Sequence, residues 1–132
     1  MLVRAFSAIF IAAAVSACGT SIERDPVISE MKRADTKRWM EVSDLRLDGF
    51  RSGQPSRAAI RNLLDLGWRQ EEELFVAYAE RLSEPLPENT IIFSKHDDWS
   101  SVACNLKRFV FIEQDGGLIV STRGATGEAG CL

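Results

Sequence analysis

The sequence predicts an α+β domain in which one or two helices pack on a three-stranded antiparallel sheet, behind an N-terminal tether. Three observations predict it. Residues 57–66 have the periodicity of an amphipathic helix, residues 90–94 are rich in β-branched and aromatic side chains, and an Asp-Gly dipeptide separates two apolar runs at 108–113 and 118–122. Helices that precede a run of strands are typical of this fold class.

The first helix is predicted to begin after Pro55. Ser56 is a favourable N-cap residue, and Gly67 stands where many helices end in a left-handed glycine. Trp68 follows directly and is expected to fold back onto the helix. The apolar side chains that we expect to face the core, at i, i+3 and i+4 spacing, are Ala59, Ile60, Leu63, Leu64 and Leu66.

A second helix is predicted over residues 71–82, although a strand remains an alternative for this segment. Three glutamates at its start suit the positive end of a helix dipole. The apolar residues that share one helical face are Leu74, Phe75, Tyr78 and Leu82. Pro85 and Pro87 end the segment, because proline fits neither a helix interior nor a central strand.

The last third of the chain predicts the sheet. Residues 90–94 form its first strand, and Asp115-Gly116 is a strong hairpin signal between the two apolar runs that follow. Both hairpin strands carry apolar residues on both faces. We therefore expect one face to pack on the first helix and the other on aromatic residues such as Trp99. The glycine-rich tail, residues 124–130, is predicted to be flexible.

Length and charge limit the function classes. The chain has 132 residues, room for one small domain, with 16 Lys+Arg against 19 Asp+Glu and a formal net charge of -3. This acidic balance gives no footprint for nucleic acid, so no nucleic-acid partner is expected. His96 is the only histidine, and we interpret His96-Asp97-Asp98 as a solvated loop. We predict no enzyme activity, no metal and no cofactor.

The N-terminus predicts an export signal. Arg4 precedes a stretch at 5–17 in which 11 of 13 residues are apolar. This stretch is too short to span a bilayer but fits the apolar region of a signal peptide. The predicted organisation is a signal peptide at 1–17, a tether at 18–38 and a small α+β domain at 39–132.

The end of that apolar stretch, Val15-Ser16-Ala17-Cys18, resembles the lipobox of bacterial lipoproteins. The resemblance implies cleavage before Cys18, a diacylglycerol on its thiol and a fatty acid such as palmitate on its amino group. Two or three acyl chains anchor a protein stably to a membrane without spanning it. Gly19 and Thr20 follow, whereas aspartate next to the cysteine favours the inner membrane. The resemblance therefore implies the periplasmic face of the outer membrane rather than the inner membrane.

Two further cysteines, Cys104 and Cys131, belong to the mature domain. In an oxidising compartment such a pair commonly forms a disulfide, and closing a loop of about 27 residues corresponds to roughly 3.5 kcal/mol in the chain-entropy argument. Unpaired or intermolecular thiols are one alternative. A metal or redox site is another, although the chain has a single histidine and the cysteines lack Cys-x-x-Cys spacing.

The arrangement of motifs also resembles a lipoprotein family. Two predicted helical segments followed by three strands, behind a lipobox, are similar to the SmpA/OmlA (BamE-like) small outer-membrane lipoproteins. The resemblance depends on Gly53-Gln54-Pro55-Ser56 at the start of the first helix and Leu63-Leu64-Asp65-Leu66-Gly67 at its end. It implies a domain of helices on a sheet and a role in outer-membrane protein assembly.

These observations predict a non-enzymatic cell-envelope lipoprotein that acts as a structural or protein-binding module. The candidate contacts for an envelope protein partner are Trp39, Glu71, Glu72 and Glu73. The three glutamates also fit a solvated helix start. The alternative function is a periplasmic inhibitor of a hydrolase such as lysozyme, acting through an exposed acidic loop such as Asp97-Asp98.

Overall fold

The computed structural model describes residues 25–32, 39–97 and 104–131. The elements in chain order are α1 (Pro26–Lys32), β1 (Trp39–Val42), α2 (Ser56–Asp65), β2 (Arg69–Glu71), α3 (Val76–Ala79), β3 (Thr90–Asp97), β4 (Cys104–Asp115) and β5 (Leu118–Cys131). The five strands form one antiparallel sheet in the order β1-β5-β4-β3-β2.

The predicted α+β architecture, with helices packed on a three-stranded sheet, is wrong, because two short edge strands extend the sheet to five. β1 has four residues and β2 has three, too few for an alternating pattern to be recognised. β2 is a strand because its backbone pairs with β3, with Arg69 opposite Ser94 and Glu71 opposite Ile92. The described chain is mostly sheet, and its helices have only 7, 10 and 4 residues.

The glycine-rich tail is ordered as strand rather than flexible. Residues 124–130 lie in β5, which pairs with β4 along its length and with β1 at 124–127. A Cβ atom on Gly124 would lie 3.0 Å from the Met31 Cε atom, so a side chain here would require Met31 of α1 to shift by a few tenths of an ångström. Hydrogen bonding to two neighbouring strands outweighs the conformational entropy that these glycines lose.

The predicted hairpin between β4 and β5 is confirmed. Asp115 lies opposite Leu118, so the loop consists of Gly116 and Gly117. Their φ angles are 59° and 78°, and two positive φ values are what a type I′ turn requires. The turn joins the two longest described strands, and a register shift between Glu113 and Gln114 changes the pairing farther along them.

The first predicted helix is confirmed as α2, with a difference at its start. Pro55 occupies the N-cap position and makes no side-chain cap. Ser56 is the first helical residue, and its Oγ donates a hydrogen bond to the Gly117 carbonyl oxygen at 3.1 Å. Gly67 follows the helix with a φ of 88°, in the left-handed conformation that was predicted.

α2 packs on one face of the sheet and, together with α1, encloses the main core. Leu64, predicted to face the core, is half exposed because it lies on the flank of the stripe that Ala59 and Leu63 form. Trp68 is buried beside them, as predicted. The buried members of the main core are Val27, Ile28, Met31, Leu45, Phe50, Ala59, Leu63, Trp68, Phe93, Val110, Ile112 and Ile119.

α1 lies within the segment predicted to be a tether, yet it belongs to the main core. Asp25 Oδ1 accepts hydrogen bonds from the backbone N–H groups of Val27 at 3.0 Å and Ile28 at 3.2 Å, which caps the helix. The side chains of Val27, Ile28 and Met31 are buried. Three apolar residues in a seven-residue helix give too little periodicity to be recognised. The ordered domain therefore includes Asp25 and α1, ahead of residue 39.

The same aspartate connects α1 to the rest of the domain. Asp25 Oδ2 accepts hydrogen bonds from Trp68 Nε1 at 2.8 Å and from Lys95 Nζ at 2.9 Å. Lys95 Nζ also donates to the Leu66 carbonyl oxygen. We call Asp25, Trp68 and Lys95 the N-terminal clamp. Both oxygens of this buried carboxylate therefore have hydrogen-bond partners.

Candidate functional site

The second face of the sheet, opposite the main core, is covered by residues 72–87, which we call the cover segment. The buried residues on this face are Ile92, Phe109, Phe111 and Ala125, and the partly buried residues of the cover segment that pack on them are Leu74, Tyr78, Leu82 and Leu86. The ring of Tyr78 is tilted against that of Phe109, with centroids 4.9 Å apart. An irregular segment therefore covers this face of the sheet, whereas α1 and α2 cover the main-core face.

The helix predicted over residues 71–82 is wrong in its extent. Glu71 is the last residue of β2, and only Val76–Ala79 is helical. The pairing of Glu71 with Ile92 makes this residue part of the sheet, and residues 72–75 after it are not helical. The i, i+4 spacing of Leu74, Tyr78 and Leu82 survives, because turns at either end of α3 still point these side chains at the sheet.

A groove of about 580 Å³ lies where β2 leads into the cover segment. Phe75 and Val76 are 77% and 69% exposed there, and Glu72 and Glu73 beside them are also exposed. We call these four residues the acidic–apolar surface. The groove is lined by Arg69, Gln70, Glu71, Glu72, Glu73, Leu74, Phe75 and Val76. Three carboxylates against one guanidinium make the lining negative.

The three predicted glutamate contacts differ in their surroundings. Glu71 is half-buried and accepts a hydrogen bond from Ser94 Oγ at 2.7 Å, and its Oε1 lies 4.0 Å from Arg69 Nε. Its carboxylate thus already contacts Ser94 and Arg69 of the same domain. Glu72 and Glu73 are exposed and lie outside the sheet, so a partner can reach both.

Phe75 and Val76 are the site residues that sequence reasoning missed. The helical interpretation placed Phe75 on the packed face together with Leu74. Because the chain is not helical at residues 72–75, Leu74 turns to the sheet and Phe75 to solvent. The sequence does hold one signal: Leu74, Phe75 and Val76 are consecutive, and consecutive residues cannot all lie on one narrow helical stripe.

Trp39, the remaining predicted contact, begins β1 at an edge of the sheet. Its backbone lies opposite Gly127, and Gly127 lies opposite Lys107 on β4. The Trp39 side chain lies outside the described part of the structure. Because β1 and β2 are the two opposite edges of the sheet, Trp39 does not join the acidic–apolar surface, and its role as a contact stays a prediction.

The backbones of Cys104 and Cys131 are directly opposite each other in the pairing of β4 with β5. Opposite residues in antiparallel strands have Cα atoms about 4.5 to 5.5 Å apart, and disulfides occur at Cα separations of about 4.4 to 6.8 Å. The register is therefore compatible with the predicted disulfide. Their side chains lie outside the described part, and the bond itself stays a prediction.

Several predictions fall at the margins of the described ranges. Cys18 and the signal peptide lie outside them, as do Trp99, Asp98 and the side chain of Asp97. His96 is exposed on β3, so it belongs to a strand and not to a loop. Among the side chains that the structure describes, which do not include those of Cys104 and Cys131, no group of three or more His, Cys, Asp or Glu is placed to hold a metal ion. No helix within residues 25–32, 39–97 and 104–131 is long and apolar enough to cross a membrane.

Comparisons with protein-family models, with curated proteins and with solved structures give no match for this chain. The acidic–apolar surface must therefore be interpreted from its own chemistry. The resemblance to the small outer-membrane lipoproteins stays a prediction from the sequence.

Proposed function

We propose that this chain is a non-enzymatic envelope lipoprotein that binds a partner protein through the acidic–apolar surface. The observation that carries the proposal is the exposure of Phe75 and Val76, 77% and 69%, next to Glu72 and Glu73. The partner is one that presents an apolar side chain surrounded by lysine or arginine.

The apolar part supports binding because its burial would be favourable. Covering apolar surface contributes about 25 cal/mol per Å². Single exposed apolar residues are common, but large apolar side chains that adjoin one another and are bordered by charged residues mark interaction sites. Phe75 and Val76 are such a pair, and the groove beside them can receive a side chain of the partner.

The acidic part supports the choice of partner. Glu72 and Glu73 are exposed and belong to a lining with one opposing cation, Arg69. A negative rim raises the association rate of a basic partner and disfavours an acidic one. At exposed sites such pairs contribute little to affinity, so Phe75 and Val76 carry the affinity and the glutamates carry the selectivity.

Membrane attachment is the second part of the proposal and rests on the lipobox at residues 15–18. A lipid on Cys18 would hold the domain at the periplasmic face of the outer membrane, and a disulfide between Cys104 and Cys131 would close the end of the β4–β5 pair. The chain is expected to incorporate labelled palmitate in cells, and Cys18→Ser is expected to incorporate none. Equal labelling of the two chains would contradict a lipid on Cys18.

Photo-crosslinking tests the surface in cells that make the full chain. A photoreactive amino acid at Gln70, an exposed residue that lines the groove, is expected to give one adduct of defined mass. The same amino acid at Asn62, exposed on α2, is expected to give none. Mass spectrometry of the adduct should locate a partner peptide that contains lysine or arginine next to an apolar residue.

Matched variants make the result specific. Phe75→Gln with Val76→Gln should lower the adduct at least about tenfold, which corresponds to 1.4 kcal/mol of binding free energy. Leu64→Gln, which changes another exposed apolar residue, should leave it within about twofold. Glu72→Gln with Glu73→Gln should weaken the adduct more than Glu80→Gln with Glu88→Gln, although both pairs change the net charge equally. Equal adducts at Gln70 and Asn62, or equal losses in test and control variants, contradict the proposal.

A further inference from the structure

A second pocket lies at the opposite edge of the sheet, where residues 43–52 leave the edge and return. β1 ends with Val42 opposite Gly124. The chain rejoins the sheet where Gly53 N donates to the Ile119 carbonyl oxygen and Ile119 N donates to the Gln54 carbonyl oxygen, both at 2.8 Å. On the side away from β4, residues 120–123 of β5 therefore lie beside the loop at residues 43–52 instead of a neighbouring strand.

The loop at residues 43–52 is held in place by the main core and by β5. Leu45 and Phe50 are buried in the main core, and the Phe50 carbonyl oxygen accepts a hydrogen bond from Thr122 Oγ1 at 3.0 Å. These contacts fix the floor of the pocket to β5.

The rim of the pocket is anchored by one glutamine. Gln54 Nε2 donates to Asp48 Oδ1 at 3.1 Å, and Arg51 N donates to Gln54 Oε1 at 2.9 Å. The backbone that carries Arg51 is thereby fixed before any ligand arrives, which lowers the ordering cost of binding.

The pocket has a volume of about 320 Å³ and is lined by Asp44, Leu45, Arg46, Phe50, Arg51, Ser52, Ser121 and Thr122. Its two guanidinium groups, on Arg46 and Arg51, are exposed, and neither is in an ion pair within the described residues. The Ser121 hydroxyl donates to Glu113, so the donors available to a ligand are the two guanidiniums and Ser52. With Asp44 as the one carboxylate, the lining is positive in a chain whose net charge is -3.

We propose that this pocket binds a compact anion through a carboxylate or phosphate group held by Arg46 and Arg51. Guanidinium groups match the geometry of both kinds of oxyanion. The volume is at the lower end of the range for small-molecule sites, so it holds one anionic group with a small body. Asp44 reduces the positive charge and disfavours a polyanion.

The proposal stands independently of the acidic–apolar surface. The pocket lies beside β1 and β5, whereas the acidic–apolar surface follows β2 at the other edge of the sheet. The two sites also have opposite charge. Failure of one test therefore leaves the other site unaffected.

NMR titration of the isotope-labelled full chain in detergent micelles tests the pocket. Sodium acetate and sodium phosphate are the probes, at an ionic strength held constant with sodium chloride. Saturable shifts in the backbone amides of Arg51, Ser52 and Thr122 are expected at millimolar concentration. Ethylammonium chloride at the same concentration should leave these amides unchanged.

Two pairs of arginine variants assign the binding. Arg46→Gln with Arg51→Gln should raise the dissociation constant at least tenfold. Arg57→Gln with Arg61→Gln, which removes the same charge from the exposed side of α2, should change it by less than twofold. Shifts that rise linearly without saturation, or equal weakening by both pairs, would overturn the proposal.

Discussion

The two faces of the sheet are covered in different ways, although the same strands carry both. On the main-core face, α1 and α2 bury a set of twelve residues, and the N-terminal clamp adds hydrogen bonds at 2.8 and 2.9 Å. On the second face, the cover segment has one helix of four residues, and its packed side chains remain partly exposed. The main-core face is thus closed by helices, whereas the second face is closed by an irregular segment that leaves Phe75 and Val76 exposed to a partner.

The same substitution on each face gives the sharpest test of this difference. Ile112 lies on the main-core face and Ile92 on the second face, and both are buried. Ile112→Ala should lower the free energy of unfolding by about 4 kcal/mol and Ile92→Ala by about 2 kcal/mol, because the cover segment can collapse into the space that is left. Urea denaturation of both variants measures the difference. Equal losses would show that the two faces are equally rigid.

The N-terminal clamp is expected to have the next largest effect. Asp25→Ala removes the cap of α1 and leaves Lys95 without its carboxylate, which should cost about 2 to 3 kcal/mol. The Lys95 side chain is 26% exposed, so water compensates for part of the lost ion pair. Asp25→Asn keeps one acceptor, the amide oxygen, for the cap, but its amide NH2 cannot accept from Trp68 Nε1 or Lys95 Nζ, so it should recover only the contribution of the cap, about 1 kcal/mol. Thermal unfolding followed by tryptophan fluorescence compares the two variants, and identical losses would mean that the cap contributes nothing.

The smallest effect on stability is expected at the acidic–apolar surface. Phe75→Gln should change the free energy of unfolding by less than about 0.5 kcal/mol, because the side chain is 77% exposed. Chemical denaturation of this variant checks the value. A loss above about 1 kcal/mol would show that Phe75 packs on the second face, and the docking proposal would then need another residue.

The parts of the fold that the sequence predicts are those with a local cause. Gly67 ends α2 and Gly116 and Gly117 form the hairpin turn because each adopts a positive φ, which depends on no distant contact. β2 and the second half of β5 are different. Residues 69–71 are polar and residues 124–130 are rich in glycine, and both become strands only because neighbouring strands pair with them.

The sequence predicts the acidic residues of the candidate site but not the exposure of its apolar residues. Glu72 and Glu73 stand out in the sequence as an acidic run and are exposed in the structure. The exposure of Phe75 depends on residues 72–75 being non-helical, and these residues follow the pairing of Glu71 with Ile92. The pairing is a long-range contact, so the run of Leu74, Phe75 and Val76 indicates only that the three cannot share the packed face.

The N-terminal clamp sets how far the domain can reach from a membrane. If Cys18 carries the lipid, Asp25 is seven residues from the anchor, and a chain of that length extends at most about 25 Å. If α1 and the clamp were both released, the nearest strand residue would be Trp39, 21 residues from the anchor, and the limit would rise to about 75 Å. The docking of α1 would thus decide whether the domain stays within a thin layer at the bilayer surface or reaches three times as far from it.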